Sequence, residues 1–142
     1  MKAHKVIIAD PSIHFRTGFR NILLNIGNVE IVGEAASCEE LLWLLGKTHA
    51  DLVFLDLNLP FGGAREVSCD ITKNFPGTRI IVISEFDNHR YVRQMYDAGT
   101  QGFLSKNRNN LDHLQKILKQ KIGHFITSVE GVQLAELNQM NL

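Results

Sequence analysis

Short apolar runs alternate with amphipathic stretches along most of this 142-residue chain. The runs have strand length and occupy residues 6–9, 29–35, 52–55, 79–83 and 102–104, while apolar residues recur at helical spacing within 13–26, 41–45, 67–75, 87–98 and 111–122. A run without alternating polarity indicates a strand that is buried on both faces, as in a parallel sheet covered by helices. We therefore predict an α/β fold, a doubly wound (βα)5 five-stranded parallel sheet in a three-layer α/β/α sandwich.

The ends of the predicted helices carry sequence signals. Ser37, with Glu40 three residues later, forms a capping-box pattern ahead of the second helix, and Pro76 stops the third. Trp43 falls among the leucines of the second helix, so we expect it to pack in the core or at the helix edge. The predicted core consists of large apolar residues of strands and of the first helix: Val6, Ile8, Phe19, Val53, Leu55, Ile81 and Ile83.

The chain changes character after residue 122. Residues 123–142 are mixed in composition, and only Leu134 and Leu137 suggest a short extra helix. We expect one domain over residues 1–122, followed by a linker or the stump of one over residues 123–142.

Composition narrows the functional classes. The 15 basic and 15 acidic residues balance, which gives no electrostatic reason to expect direct binding to nucleic acid or membrane. The two cysteines form no CxxC pair and the six histidines show no i, i+4 pairing, so neither a disulfide framework nor a zinc site is indicated. The first residues lack a signal-peptide pattern, and no apolar run approaches the ~18 residues of a membrane span. We expect a soluble cytoplasmic protein.

Polar side chains follow four of the predicted strands at their carboxyl ends, namely Asp10, Asp56, Ser84 and Lys106. These ends meet at one rim of a parallel sheet, where α/β proteins bind ligands. Two carboxylates there can hold a hard divalent cation, a hydroxyl can bond a phosphoryl oxygen, and a lysine can neutralise another. Asp56 is then the nucleophile. Plainer roles are also open, since Asp10 suits a helix N-cap, with Pro11 in the first helical position, and Asp56 suits a turn.

In type and order these residues resemble the receiver domain of two-component response regulators, over residues 5–122. The motifs that carry the resemblance are Ala9-Asp10, residues 55–60 around Asp56, Ile83-Ser84, and residues 102–106 ending in Lys106. The region around Phe15 and Arg16, together with the tail, is similar to the subfamily whose receiver precedes a DNA-binding helix-turn-helix domain. No such output domain is present in these 142 residues.

The resemblance implies a phosphoacceptor rather than an enzyme. A histidine kinase would phosphorylate Asp56, and Mg²⁺ would be held by Asp10, Asp56 and the backbone carbonyl of Asn58. Ser84 and Phe103 would then act as the switch. The face made by the fourth helix, fifth strand and last helix would contact an output domain, a partner protein or a second copy. On that face we consider Tyr91, Val92 and Met95, whose spacing equally suits packing on the sheet.

Departures from the family pattern concentrate at the acidic site. Pro11 stands where the family has a second acid that ligates the metal, so we expect weak Mg²⁺ binding. Glu85 replaces a small residue, and two roles are open for it: it crowds the site, or its carboxylate replaces the lost ligand. Phe86 offers apolar bulk that could exclude hydrolytic water.

These departures motivate a second hypothesis, a degenerate receiver that binds a partner protein without phosphorylation. A dehalogenase-type phosphatase would need an acid at Asn58, and flavin binding would need a Ser/Thr-rich loop after the first strand, which residues 10–13 do not provide. We set both of these aside.

Overall fold

The computed structural model describes residues 2–119 and 123–133. Within them lie the strands β1 (His4–Ala9), β2 (Val29–Ala35), β3 (Leu52–Leu55), β4 (Arg79–Ser84), β5 (Gly102–Ser105) and β6 (Ile126–Thr127). The helices of the same residues are α1 (Ile13–Ile26), α2 (Cys38–Lys47), α3 (Ala64–Asn74), α4 (His89–Asp97) and α5 (Leu111–Lys119). The predicted order of strand and helix is therefore confirmed through α5.

All strands join one parallel sheet in the order β2-β1-β3-β4-β5-β6. The prediction of five strands was wrong by one, because β6 adds to the outer edge of β5. Its two residues are too few to produce an apolar run, so periodicity did not reveal it. The strand β2 lies on one side of β1, whereas β3 and the strands after it lie on the other, and the switch point between β1 and β3 is where such sheets place ligands.

Helices cover both faces of the sheet, as the three-layer prediction requires. One core cluster contains residues from α1 and α5 together with alternate strand residues, and the other contains residues from α2, α3 and α4 together with the remaining strand residues. Every residue of the predicted core is buried: Val6, Ile8, Phe19, Val53, Leu55, Ile81 and Ile83. The strands β3 and β5 are buried at every position, in agreement with the apolar run of β3 and with the Phe and Leu of β5.

Local signals at the helix starts were correct for α2 and wrong for α1. Ser37 accepts a hydrogen bond from the Glu40 backbone N–H, as in a capping box, and the Glu40 carboxylate accepts one from the N–H of Ala36, the residue before the N-cap. Asp10 does not cap α1. Ser12 is the N-cap and accepts from the Phe15 N–H, so Pro11 lies before the helix and not in its first position.

Several side chains lie elsewhere than predicted. Trp43 is 62% exposed on α2, with the Lys47 ammonium 5.8 Å from its ring centroid, because its position faces away from the sheet. Leu111 is 44% exposed, so it stands apart from the buried face of α5. Residue 122 and the two leucines expected to begin a tail helix, Leu134 and Leu137, lie outside the described residues.

The three residues considered for a contact face on α4 differ in exposure. Val92 and Met95 are buried, because they face the sheet, and only Tyr91 is partly exposed. The expectation of a contact face was therefore wrong for Val92 and Met95. No helix in residues 2–119 and 123–133 combines the length and apolar character needed to cross a bilayer.

Ile81→Ala tests the placement of the core. Ile81 is 2% exposed, and truncating such a side chain should lower the free energy of unfolding by about 2 to 4 kcal/mol, because a cavity is left behind. Ile22→Ala is the matched control, since Ile22 is 47% exposed on α1 and should change stability by less than about 0.5 kcal/mol. Equal effects of the two changes in urea melts would contradict this core.

Candidate functional site

Asp10 and Asp56 stand at the carboxyl ends of the neighbouring strands β1 and β3. The Asp10 N–H donates to the carbonyl of Ala35 at 2.9 Å, and the Asp56 N–H donates to that of Ala9 at 2.9 Å, so each residue continues its strand's ladder. Both are almost fully buried, at 1% and 4% exposure. The end of the ladder thus fixes the backbone of both acids at the switch point of the sheet.

Lys106 joins these two carboxylates. Its backbone N–H donates to the Ser84 carbonyl at 2.8 Å, which places the residue directly after β5. Its Nζ lies 2.6 Å from Asp10 Oδ2 and 3.1 Å from Asp56 Oδ1. The prediction that Asp10, Asp56 and Lys106 converge at one rim is therefore confirmed.

The second oxygen of each carboxylate is held by the adjoining loop. Asp10 Oδ1 accepts from the Ser12 backbone N–H at 2.8 Å, and Asp56 Oδ2 accepts from the Asn58 N–H at 2.9 Å. Each acid therefore orients one oxygen with its own loop and presents the other to Lys106. This arrangement leaves little freedom in either side chain.

Burial sets the electrostatics of the cluster. Burial raises the pKa of Asp56, and the Asn58 N–H and Lys106 only partly oppose it. Burial lowers the pKa of Lys106. Its contacts with Asp10 and Asp56 outweigh that effect, so the pKa of the ammonium is raised overall. Two ionised carboxylates and one ammonium carry one uncompensated negative charge, so a further cation would be attracted to this site.

The first helix supplies two contacts that the sequence did not predict. The Phe15 ring lies beneath Lys106, with Nζ 3.9 Å from the ring centroid, in a cation–π contact. Arg16 donates to the Asp10 carbonyl at 2.6 Å and pairs with Glu34 of β2 at 2.9 Å. The helical spacing of Phe15 indicated burial only, because its contact with Lys106 depends on tertiary approach.

Ser84 and Phe103, the predicted switch residues, are both fully buried. The Ser84 hydroxyl accepts a hydrogen bond from the Phe86 backbone N–H at 3.0 Å, so it is engaged within its own loop. Glu85 and Phe86 are exposed at the rim.

A second polar cluster ties the loop after β4 to the turn after β5. The Ser105 hydroxyl donates to Asp87 Oδ2 at 2.6 Å, and the Asn107 side-chain amide donates to the same oxygen at 3.2 Å. These two hydrogen bonds hold the pKa of the Asp87 carboxyl below its ordinary value. A serine and an asparagine on either side of Lys106 were the only sequence signal for this cluster.

The donor set fits a hard divalent cation. Asp10 and Asp56 bring carboxylate oxygens to one point, and the loop that contains Asn58 adjoins it. Pro11 contributes no side-chain oxygen. Among the described residues, no three His, Cys, Asp or Glu side chains are grouped as metal ligands. A bound cation would therefore complete its coordination with backbone and water oxygens.

Residues 6–119 match the family described as "Response regulator receiver domain". The chain is 33% identical over 104 residues to oxygen regulatory protein NreC of Staphylococcus epidermidis, an alignment that covers 72% of this chain and 48% of that protein. The chain thus spans about half the length of the curated relatives that it matches.

Solved structures agree with this match. The receiver domain of the response regulator NarL from Mycobacterium tuberculosis superposes with a TM-score of 0.75 at 27% identity, covering 82% of this chain and 94% of that one. The isolated receiver domain of RcsB from Salmonella enterica serovar Typhimurium gives a TM-score of 0.78 at 26% identity, covering 96% of this chain and 99% of that one. The chain therefore belongs to the response regulator receiver domain family of two-component signalling systems.

Proposed function

We propose that this receiver accepts a phosphoryl group on Asp56 from a phosphohistidine of a histidine kinase. The observation that carries the proposal is the buried Asp56 carboxylate, held beside Asp10 and contacted by the Lys106 ammonium. An Asp56 oxygen attacks the phosphorus, the bond from phosphorus to the histidine nitrogen breaks, and the imidazole keeps the bonding electron pair. The domain would act as a phosphoacceptor and not as an enzyme on other substrates.

The neighbouring residues have separate roles in this transfer. Lys106 neutralises charge on the phosphoryl oxygens, and the Asn58 N–H holds the other Asp56 oxygen, so a single carboxylate oxygen is presented for attack. Mg²⁺, when bound, supplies further positive charge at those oxygens. Asp10, Asp56 and the Asn58 carbonyl are its proposed ligands, with weak affinity because Pro11 provides none. Glu85, exposed at the rim, is a candidate for an additional ligand.

The proposed switch consists of Ser84 and Phe103. The bond from the Phe86 N–H uses a lone pair of the Ser84 hydroxyl oxygen, so the hydroxyl would donate its own hydrogen to a phosphoryl oxygen. Phe103 lies in β5 and would transmit that movement to the face formed by α4, β5 and α5. Since the matched relatives include transcriptional regulators, we propose that the output is transcription, controlled through a linked domain or a partner protein.

The preserved contacts of Lys106 with Asp10 and Asp56 favour this function over a receiver that works without phosphorylation. Incubation with Mg²⁺ and acetyl phosphate should add one phosphoryl group, detected as intact mass. Asp56→Asn should abolish the addition, while Asp70→Asn, on the exposed side of α3, should retain it. An unlabelled wild-type chain, or labelling that persists in Asp56→Asn, would contradict the proposal.

Pro11→Asp should strengthen Mg²⁺ binding and speed phosphorylation of Asp56, because it restores a carboxylate next to Asp10. We expect an affinity gain on the order of tenfold, equal to about 1.4 kcal/mol, measured by calorimetric titration. Loss of the proline should cost about 1 kcal/mol of stability or less, without acting on the site itself.

Glu85→Gln is the companion variant, since it removes the other candidate ligand without changing the side chain's size. Tight Mg²⁺ binding in the wild type that is lost in Glu85→Gln and unchanged in Pro11→Asp would identify Glu85 as the replacement ligand. The explanation based on Pro11 would then be wrong.

Asp56→Asn should raise the free energy of unfolding at neutral pH. Burial raises the pKa of Asp56, so its ionised form is costlier in the folded state than in the unfolded state. This cost is complete above the raised folded-state pKa and vanishes below the ordinary value of 3.8, where both states are protonated. The gain should therefore shrink as the pH falls, and denaturant melts across that range measure it. A gain that is unchanged at acid pH would refute this origin.

A further inference from the structure

Residues 123–133, which we name the cover segment, occupy the outer edge of β5. Within it, β6 pairs in parallel with β5, with Ile126 opposite Gly102 and Thr127 opposite Phe103. The Ile126 N–H donates to the Gln101 carbonyl at 3.1 Å, and the Ser128 N–H donates to the Phe103 carbonyl at 3.2 Å. An edge that would otherwise offer free backbone groups to another chain is therefore paired internally.

Side chains of the cover segment complete this pairing. The Ser105 N–H donates to the Ser128 hydroxyl at 2.8 Å, and the Thr127 hydroxyl donates to the Phe103 carbonyl at 2.6 Å. Ser128 is 7% exposed, so loss of its hydroxyl would leave the Ser105 N–H without this acceptor in a buried place. These contacts lie next to the switch residue Phe103 and directly before Lys106.

The cover segment also reaches α4 and the loop before α5. The Phe125 ring packs edge-on against Tyr96 of α4, with ring centroids 5.2 Å apart, and Phe125 is 4% exposed. Glu130 pairs with Arg108, in the loop before α5, at 2.7 Å. Because that ion pair is exposed, burial of Phe125 should contribute most of the anchoring.

Gly102 shows how closely the cover segment approaches. A Cβ placed on Gly102 would lie 2.8 Å from the Ile126 carbonyl oxygen and 2.9 Å from the Ile81 side chain. Glycine at this position of β5 therefore leaves room for the backbone of β6 as well as for the core.

We propose that the cover segment is an intramolecular ligand of the face formed by α4, β5 and α5, bound by strand addition, and that it excludes other chains from the β5 edge. The edge accepts a parallel extended segment with an aromatic residue for Tyr96 and hydroxyl residues for the β5 backbone, as in the sequence Phe-Ile-Thr-Ser of residues 125–128. The attached segment is favoured over a separate chain at the β5 edge, because its effective concentration is roughly millimolar. This proposal does not depend on phosphorylation of Asp56.

The test uses the full chain carrying Phe125→Ala and Ser128→Ala together. Amide hydrogen exchange at Ser105, expressed relative to that at Val53 in the central strand β3, should accelerate by about tenfold or more, because a buried N–H loses its acceptor and the cover segment loses its anchor. Thr127→Val, which removes the hydrogen bonds of that hydroxyl with the Phe103 carbonyl and with the Val129 N–H but keeps the shape, is the milder variant should the double variant fail to fold. It should give a smaller acceleration at the same amide.

Leu45→Ala is the matched control. Leu45 is buried in α2, which packs on β2 at the opposite end of the sheet, so its truncation should lower stability without accelerating Ser105 exchange relative to Val53 exchange. A synthetic peptide of residues 123–133, added at about millimolar concentration, should restore Ser105 protection in the double variant. The same peptide, carrying a fluorophore, should not bind the wild type.

Two results would overturn the proposal. One is Ser105 protection that stays at the wild-type level in the folded double variant or in folded Thr127→Val. The other is a peptide that fails to restore protection in the double variant, or that binds the wild type as tightly as it binds the double variant.

Discussion

The contact of one ammonium with two carboxylates is the interaction on which the functional end of this molecule depends. Lys106 reaches Asp10 and Asp56 because three strands of a parallel sheet end at the same level. Removing these charges from water is costly, and only mutual pairing with further hydrogen bonds offsets that cost. The loops around the site, including the Ser12 and Asn58 N–H groups, can be understood as the parts that complete this pairing.

The same cluster keeps a buried carboxylate at the expense of stability. An apolar residue at position 56 would extend the buried run of β3, whereas the aspartate must remain desolvated with a raised pKa. The domain tolerates this because both faces of its sheet are covered by buried apolar layers. Pro11 places no carboxylate beside Asp10, so repulsion among the buried acids at the rim is limited to that between Asp10 and Asp56.

How much the sequence predicts depends on the range of the interaction. Strand ends, and with them the convergence of Asp56 and Lys106, follow from short-range apolar patterns joined to one rule of sheet topology. Trp43 was misplaced, because helical spacing alone does not say which side of a helix the sheet will cover. Phe15 beneath Lys106 and the pairing of Ile126 with β5 depend on approaches between distant segments, for which a single sequence carries little signal.

The hydrogen bonds around Asp87 have a consequence for motion. Asp87 accepts from Ser105 and Asn107, the two residues that flank Lys106, while the Lys106 N–H donates to the Ser84 carbonyl. These three hydrogen bonds therefore join the loop after β4 to the turn after β5. Because these hydrogen bonds join the two segments, we expect a displacement of Ser84 to move the turn that carries Lys106 as well.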